Sequence, residues 1–118
     1  MSKNIPKRGD VYWINPNPTS GRELKNNHRF VVITQTDVNQ LGVATTVPIT
    51  NGGDFSRSNG LTVPITGHDT TGVALCNQMR AFDIAARIKN GSARYVETLD
   101  ESLMNDIVDR VVSVIDPA

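Results

Sequence analysis

The sequence predicts a mainly β fold with a C-terminal α-helix: a small barrel of about five to seven short strands against which one amphipathic helix packs. Between residues 10 and 77, runs of β-branched and aromatic residues alternate with turn clusters rich in Gly, Pro and Asn, as in small β domains. From residue 98 onward, apolar residues recur at every third or fourth position, which indicates a helix. The 118 residues suffice for a single core, so we expect one domain over residues 1–118.

Two strands joined by a long polar loop are predicted first. Residues 10–15 (Asp-Val-Tyr-Trp-Ile-Asn) are rich in residues that favour a strand. Residues 15–27 contain two prolines and mostly polar side chains, so they cannot continue that strand; a loop this long in a small domain is often functional. Residues 29–34 (Arg-Phe-Val-Val-Ile-Thr) have the composition of a buried strand, and a polar link or helical turn follows at residues 37–40.

The next two predicted strands share a five-residue repeat: Thr-Val-Pro-Ile-Thr at residues 46–50 recurs at residues 62–66. Proline cannot donate a hydrogen bond to a neighbouring strand, so Pro48 and Pro64 favour edge strands or bulges. Two more strands are predicted at residues 72–77 and 81–89, the second closed by a turn at residues 90–91.

The last segment is predicted to be one amphipathic helix. Thr98 and Glu101 have the spacing of a capping box, in which each side chain binds a free backbone amide of the first turn. Acidic residues in the first turn also suit the helix dipole, and Pro117 ends the helix. The apolar stripe consists of Leu99, Leu103, Ile107, Val111 and Val114, widened by Met104, Val108 and Ile115.

Composition narrows the class of protein. The net charge is zero, but residues 1–29 carry six basic and two acidic side chains, whereas residues 97–118 carry one basic and six acidic. A single cysteine excludes an intramolecular disulfide and a multi-cysteine zinc site. The chain has no apolar run long enough to span a membrane and no apolar signal-peptide core after Met1. We therefore expect a cytoplasmic protein without membrane contact.

Catalytic signatures are sparse apart from one loop–strand junction. No phosphate-binding glycine loop or paired zinc histidines occur, and Cys76 lies among apolar residues, which favours a buried structural thiol. Residues 22–29 combine arginine, glutamate, lysine and histidine, and Thr50 ends another strand. Such side chains can neutralise a phosphate, move a proton and donate to an oxygen without a metal. The alternative interpretation is a solvated charged loop.

Several motifs resemble those of MazF/PemK-type toxins, and in order they span nearly the whole chain. The Gly-Gly-Asp-Phe-Ser-Arg stretch at residues 52–57 is most similar to the PemK/Kid and ChpB branch. The resemblance implies an SH3-like small barrel of the PemK/CcdB toxin type. It also implies a homodimer that cleaves messenger RNA without metal or cofactor and is blocked by a cognate antitoxin. The matching segments are residues 8–13, 17–23, 28–33, 47–57 and 72–80, together with Asp83 and the helix.

The resemblance assigns four catalytic residues. Arg29 matches the family's arginine at the start of the second strand, followed here by Phe30 where members usually have proline. It would stabilise the charge on the pentavalent phosphorus, and Thr50 would hold a non-bridging oxygen. Glu23 or His28 would take the proton of the 2′-hydroxyl. The products would be a 2′,3′-cyclic phosphate and a free 5′-hydroxyl.

Further residues are predicted to contact single-stranded RNA. Leu75 and Asn77 stand where Kid-like members have an arginine and an aspartate on either side of the Cys76 position, and an amide cannot act as a general base. An acidic antitoxin tail is expected over the basic loop, and operator DNA is expected to bind only through the antitoxin complex. The RNA-binding candidates are Arg22, Lys25, Arg57, Asn77, Gln78 and Arg80.

Two other functions remain open at this point. CcdB-type toxins share the barrel-and-helix plan and poison gyrase by binding, but they resemble one another in a Trp-Gly-Ile C-terminus, whereas this chain ends Asp-Pro-Ala. A degenerate toxin that retains antitoxin binding without activity is the other alternative, favoured by Leu75 and Asn77.

Overall fold

A computed structural model describes residues 5–16, 28–51, 61–67 and 69–116. Within these residues the chain forms seven strands and three helices, and none of the helices is long and apolar enough to cross a membrane. The strands are β1 (Asp10–Ile14), β2 (His28–Val32), β3 (Ala44–Thr50), β4 (Thr62–Thr66), β5 (Thr71–Leu75), β6 (Arg80–Phe82) and β7 (Ala93–Thr98). The helices are α1 (Thr36–Asn39), α2 (Ile84–Lys89) and α3 (Glu101–Ile115).

The strands form one antiparallel sheet in the order β4-β5-β3-β2-β1-β7, with β6 paired to β3 outside this path. The mainly β fold with a C-terminal helix is confirmed. The barrel-like sheet is not closed, because β4 and β7 end the path without pairing with each other in the part of the chain that is described. Helix α3 packs beside β4, at one of these two ends.

Both faces of the sheet are buried, and each has its own core. Val11 pairs with Val31, and Tyr12 with Phe30, so alternate residues of β1 and β2 face opposite sides. The first face packs against α3, whose Met104, Ile107 and Val111 join Val11, Val31, Val47 and Ile49 in one cluster. The second face carries another cluster, which consists of Tyr12, Ile14, Phe30, Val32, Ala44, Phe82 and Ile84.

The start of α3 differs from the predicted capping box. Asp100 is the N-cap, and its carboxylate accepts a hydrogen bond from the Leu103 amide at 2.8 Å. Thr98 ends β7, pairs with Asp10 and donates its hydroxyl hydrogen to the Asp10 carboxylate at 2.7 Å. The predicted cap was wrong because strand pairing holds Thr98 in extended backbone, so the helix begins later.

Residues 81–89 are not the predicted strand. They contain the end of the short strand β6 and all of α2, because the Asp83 side chain accepts from the Ala86 amide at 3.0 Å and caps a new helix. Strand β7 was missed in the sequence, although its Tyr95 and Val96 favour extended backbone. It pairs with β1 and forms one end of the sheet path.

The two prolines occupy different positions in the sheet. Pro64 lies on β4, at an end of the sheet, as predicted. Pro48 lies on the internal strand β3, so the edge prediction was wrong there. On that side β3 pairs with β6 through residues 44–46 and with β5 through residues 49 and 50. Pro48 falls between these two partners, where its missing N–H removes no strand hydrogen bond.

Candidate functional site

Strands β2 and β3 bring three of the four predicted catalytic residues to one end of the sheet. Arg29 pairs with Ile49, and the same register, extended by one residue, sets His28 against Thr50. All three side chains are half-buried. The fourth candidate, Glu23, lies outside the described residues, as do the RNA-binding candidates Arg22, Lys25 and Arg57.

The three residues do not share one face of the sheet. Arg29 lies on the α3 face with Val31 and Ile49, whereas the alternation of the strands puts His28 and Thr50 on the second face. The candidates are therefore neighbours at the strand ends and approach that end from two sides.

Arg29 is held by an aromatic ring. Its guanidinium carbon lies 4.6 Å from the ring centroid of Trp13, which is its direct partner on β1. The Arg29 Nε is buried and has no hydrogen-bond partner among the residues that the structure describes. Trp13 was not singled out from the sequence, because its contact with Arg29 depends on the pairing of two strands that a long loop separates.

A second arginine with an unpaired donor lies on β6. Arg80 pairs with Thr46, whose hydroxyl donates to the Arg80 carbonyl oxygen at 2.9 Å. The Arg80 guanidinium lies 5.1 Å from the Phe82 ring centroid, and within the described ranges its buried Nη1 has no hydrogen-bond partner. Arg87 contacts the same ring at 4.7 Å. The pairing puts Arg80 on the second face, the face of Thr50.

The turn after β5 separates exposed candidates from core residues. Asn77 is exposed and Gln78 is half-buried, and the Gln78 amide donates to the Leu75 carbonyl at 3.1 Å. Leu75 itself is only 1% exposed, so its side chain belongs to the protein interior. Of the two departures from the Kid-like pattern, Asn77 is the one that solvent reaches.

Cys76 is a structural residue, as predicted from its apolar neighbours. It is completely buried, one residue beyond the end of β5, and its thiol lies 4.0 Å from the Ile107 carbonyl oxygen of α3. Burial raises the pKa of the thiol to about 11, so at neutral pH the sulfur stays protonated and unreactive.

Gly72 leaves room for the end of β3. It has a φ of +120°, and a Cβ built on it would collide with the carbonyl oxygen of Thr50. The neighbouring Val73 pairs with Thr50. Glycine is therefore required here on two counts: its backbone conformation and the space beside Thr50.

Among the residues that the structure describes, no group of three or more His, Cys, Asp or Glu side chains could hold a metal ion.

Comparisons with known proteins agree along nearly the whole chain. The family of PemK-like, MazF-like toxins of type II toxin–antitoxin systems matches residues 7–115. Endoribonuclease PemK of Escherichia coli is 29% identical over 116 residues, which cover 96% of this chain and 84% of that protein. Endoribonuclease toxin ChpB of Escherichia coli strain K12 is 36% identical over 108 residues, covering 88% and 93%. The crystal structure of MazF from Deinococcus radiodurans has the same fold, with a TM-score of 0.79, 19% identity and coverage of 96% and 98%.

Proposed function

Because the chain belongs to the PemK-like, MazF-like toxins of type II toxin–antitoxin systems, we propose that it is an endoribonuclease toxin that cleaves single-stranded mRNA without a metal ion. The observation that carries the proposal is Arg29, a half-buried residue at the start of β2 whose buried Nε has no hydrogen-bond partner in the described part of the chain. A fixed, partly desolvated cation of this kind suits a phosphate that gains negative charge during a reaction. Cleavage of mRNA would stop translation and growth.

The reaction is an internal transfer at one phosphodiester. The 2′-oxygen of the ribose attacks the adjacent phosphorus and forms a new P–O bond, while the bond from phosphorus to the 5′-oxygen of the next nucleotide breaks. The proton of the 2′-hydroxyl goes to a base, and the departing 5′-oxygen takes up a proton. The products are a 2′,3′-cyclic phosphate and a free 5′-hydroxyl.

The strand-end residues divide this work between two faces of the sheet. Arg29 stabilises the charge on the non-bridging oxygens and can protonate the departing oxygen. Thr50 donates its hydroxyl hydrogen to a non-bridging oxygen, and His28 or Glu23 accepts the 2′-proton. A phosphate that lies across the ends of β2 and β3 is within reach of both faces, which favours binding at the rim rather than in a closed pocket.

The remaining contacts to RNA come from polar groups around this rim. Asn77 is exposed and Gln78 half-buried in the turn after β5, and Arg80 lies on β6, on the same face of the sheet as Thr50. The loop residues Arg22, Lys25 and Arg57 would add positive charge that tracks the backbone phosphates. Together they extend the site beyond the cleaved bond.

The partners follow from the same family. The toxin is expected to act as a homodimer, since β4 and β7 end the described sheet path and offer edges that a second copy can cover. A cognate antitoxin with an acidic, extended tail would block the basic rim around Arg22, Lys25 and Arg29. The toxin–antitoxin complex would bind operator DNA through the antitoxin. The toxin would work in the cytoplasm, where its mRNA substrate is.

The test is incubation of the purified protein with RNA in EDTA, with the Arg29→Ala variant as the matched control. Cleavage that leaves cyclic phosphate ends, and is lost in the variant, supports the proposal. Intact RNA combined with gyrase trapped on DNA would favour a CcdB-like poison. If both assays are negative and an antitoxin still binds, the chain is a degenerate toxin.

A further inference from the structure

Trp13 has a position that core packing does not explain. It is the chain's single tryptophan and is only half-buried. Neither of the two hydrophobic clusters formed by the described residues includes it, although its strand neighbours Val11, Tyr12 and Ile14 belong to them. Partly exposed tryptophans are enriched at interfaces, where the ring offers an apolar face and the indole N–H a donor.

The sheet fixes this ring beside a cation. Strand β1 pairs with β2 on one side and β7 on the other, so the backbone of Trp13 is held from both sides. On β2 its direct partner is Arg29, and on β7 its partner is the exposed Arg94. The Arg29 guanidinium carbon lies 4.6 Å from the ring centroid, within the range of a cation–π contact.

The contact gives Arg29 an orientation without using its hydrogen bonds. A carboxylate partner would fix a guanidinium equally well, but it would occupy the donors and neutralise the charge. The ring attracts the cation through its π face and leaves the N–H groups available. The buried Nε of Arg29 has no hydrogen-bond partner among residues 5–16, 28–51, 61–67 and 69–116, so these residues leave its N–H without an acceptor. A phosphate oxygen is an acceptor of the right charge.

We propose that Trp13 is the positioning residue of Arg29: its ring holds the guanidinium at the start of β2 so that the guanidinium N–H groups can donate to a phosphate oxygen of the RNA. This inference rests on the proposed function, because it requires Arg29 to act on the scissile phosphate. Trp13 itself touches the arginine and need not touch the RNA.

Three variants test the proposal. Trp13→Leu removes the π face and keeps an apolar side chain, whereas Trp13→Phe keeps a weaker π face. Tyr95→Leu is the matched control, because this exposed aromatic residue on β7 contacts Tyr12 and Thr98 and no arginine in the described chain. Thermal unfolding and light scattering establish that each variant is folded and has the assembly state of the unaltered protein.

The kinetic readout is the split between kcat and KM on a short RNA in EDTA. Because the contact matters most where charge develops, we expect Trp13→Leu to lower kcat about tenfold and to change KM little. Trp13→Phe should recover most of the lost rate, and Tyr95→Leu should match the unaltered protein. If folded Trp13→Leu keeps kcat within about twofold, or if Phe is as poor as Leu, the proposal is overturned.

A spectroscopic readout is independent of activity. The Nε–H proton of Arg29, assigned by its disappearance in Arg29→Lys, should have a ring-current shift that Trp13→Leu abolishes and Tyr95→Leu leaves unchanged. An unshifted proton would overturn the proposed contact. If Arg29→Ala cleaves RNA normally, the catalytic role of Arg29 fails and the positioning role with it. If Arg29→Ala is inactive and Trp13→Leu is fully active, only the positioning proposal fails.

Discussion

Arg29 is the residue on which the proposed chemistry depends most. A preorganised charge at the place where negative charge develops typically contributes ~3–4 kcal/mol to a barrier. Arg29→Ala should therefore lower the rate of RNA cleavage by about two to three orders of magnitude. Arg29→Lys should restore little of it, since an ammonium keeps the charge but not the planar donor geometry.

Cleavage of a defined RNA in EDTA measures both variants. The protein should stay folded and keep its assembly state, because the half-buried Arg29 belongs to neither described core cluster. Activity near that of the unaltered protein in Arg29→Ala would remove this residue from the mechanism and direct attention to Arg22, Lys25 or Arg80.

Cys76 predicts a pH dependence of stability. Its pKa is about 11 in the folded protein, raised by burial, and near 9 in the unfolded chain. The unfolded state therefore loses this proton at lower pH than the folded state. As a result, the free energy of unfolding should decrease between about pH 9 and 11, by up to ~1.4 kcal/mol per pH unit.

Urea titrations across this pH range measure the slope. Tyr12 adds to the decrease from about pH 10 upward, because burial and the neighbouring Asp10 raise its pKa above the usual value of 10. Cys76→Ala is the control, and its stability should change less between pH 9 and 11. An identical slope in both proteins would mean that Cys76 does not contribute.

At the level of elements, two variants distinguish the observed N-cap of α3, Asp100, from the predicted capping box of Thr98 and Glu101. Asp100→Ala should destabilise the protein by about 1 kcal/mol, because the carboxylate that caps the Leu103 amide is lost. Glu101→Ala should cost much less, since Glu101 lies within the first turn and its carboxylate interacts there with the helix dipole. Urea denaturation decides between them. A larger loss in Glu101→Ala than in Asp100→Ala would restore the capping box predicted from the sequence.

Elements were predictable where local composition decides them. Strand β4 coincides with the predicted residues 62–66, and the apolar stripe of α3 predicted the face that carries Met104, Ile107 and Val111. The errors occurred where a side-chain cap or strand pairing decides: the Asp83 cap begins α2 inside a predicted strand, and pairing with β1 keeps Thr98 out of α3. Such bonds depend on three-dimensional partners that periodicity does not reveal.

The same limit applies to the candidate site. Arg29, Thr50 and His28 were identified through family resemblance, and the register then brought them to one end of the sheet. Their division between two faces follows from β2–β3 pairing, which the sequence alone did not specify. Trp13 was missed for a related reason, since its partner lies 16 positions away along the chain and beside it in the sheet.

For the whole molecule, we predict a homodimer at micromolar concentration. The described sheet path ends at β4 and β7, and exposed strand edges tend to be covered by a partner. Light scattering coupled to size exclusion measures the mass directly. A mass of 12.9 kDa rather than twice that value would contradict the prediction.

The affinity for the antitoxin should depend on salt, because an acidic tail of the antitoxin would bind the basic residues Arg22, Lys25 and Arg29. Raising the ionic strength shortens the screening length, so the affinity should fall as salt increases. Titrations at several salt concentrations test this expectation. An affinity that does not change with salt, in a complex that still cleaves RNA, would exclude an acidic tail over the basic rim.

The close approach of Gly72 to Thr50 leaves no room for a side chain beside the end of the sheet that carries the candidate catalytic residues. The backbone at the end of β3 fits against a residue without a side chain, and the clearance is smaller than one methyl group. The added methyl group of Gly72→Ala should therefore displace the backbone of Thr50. The Trp13–Arg29 contact on the other face should stay in place. Such a variant would alter the alignment of the two faces while every reacting group remains present.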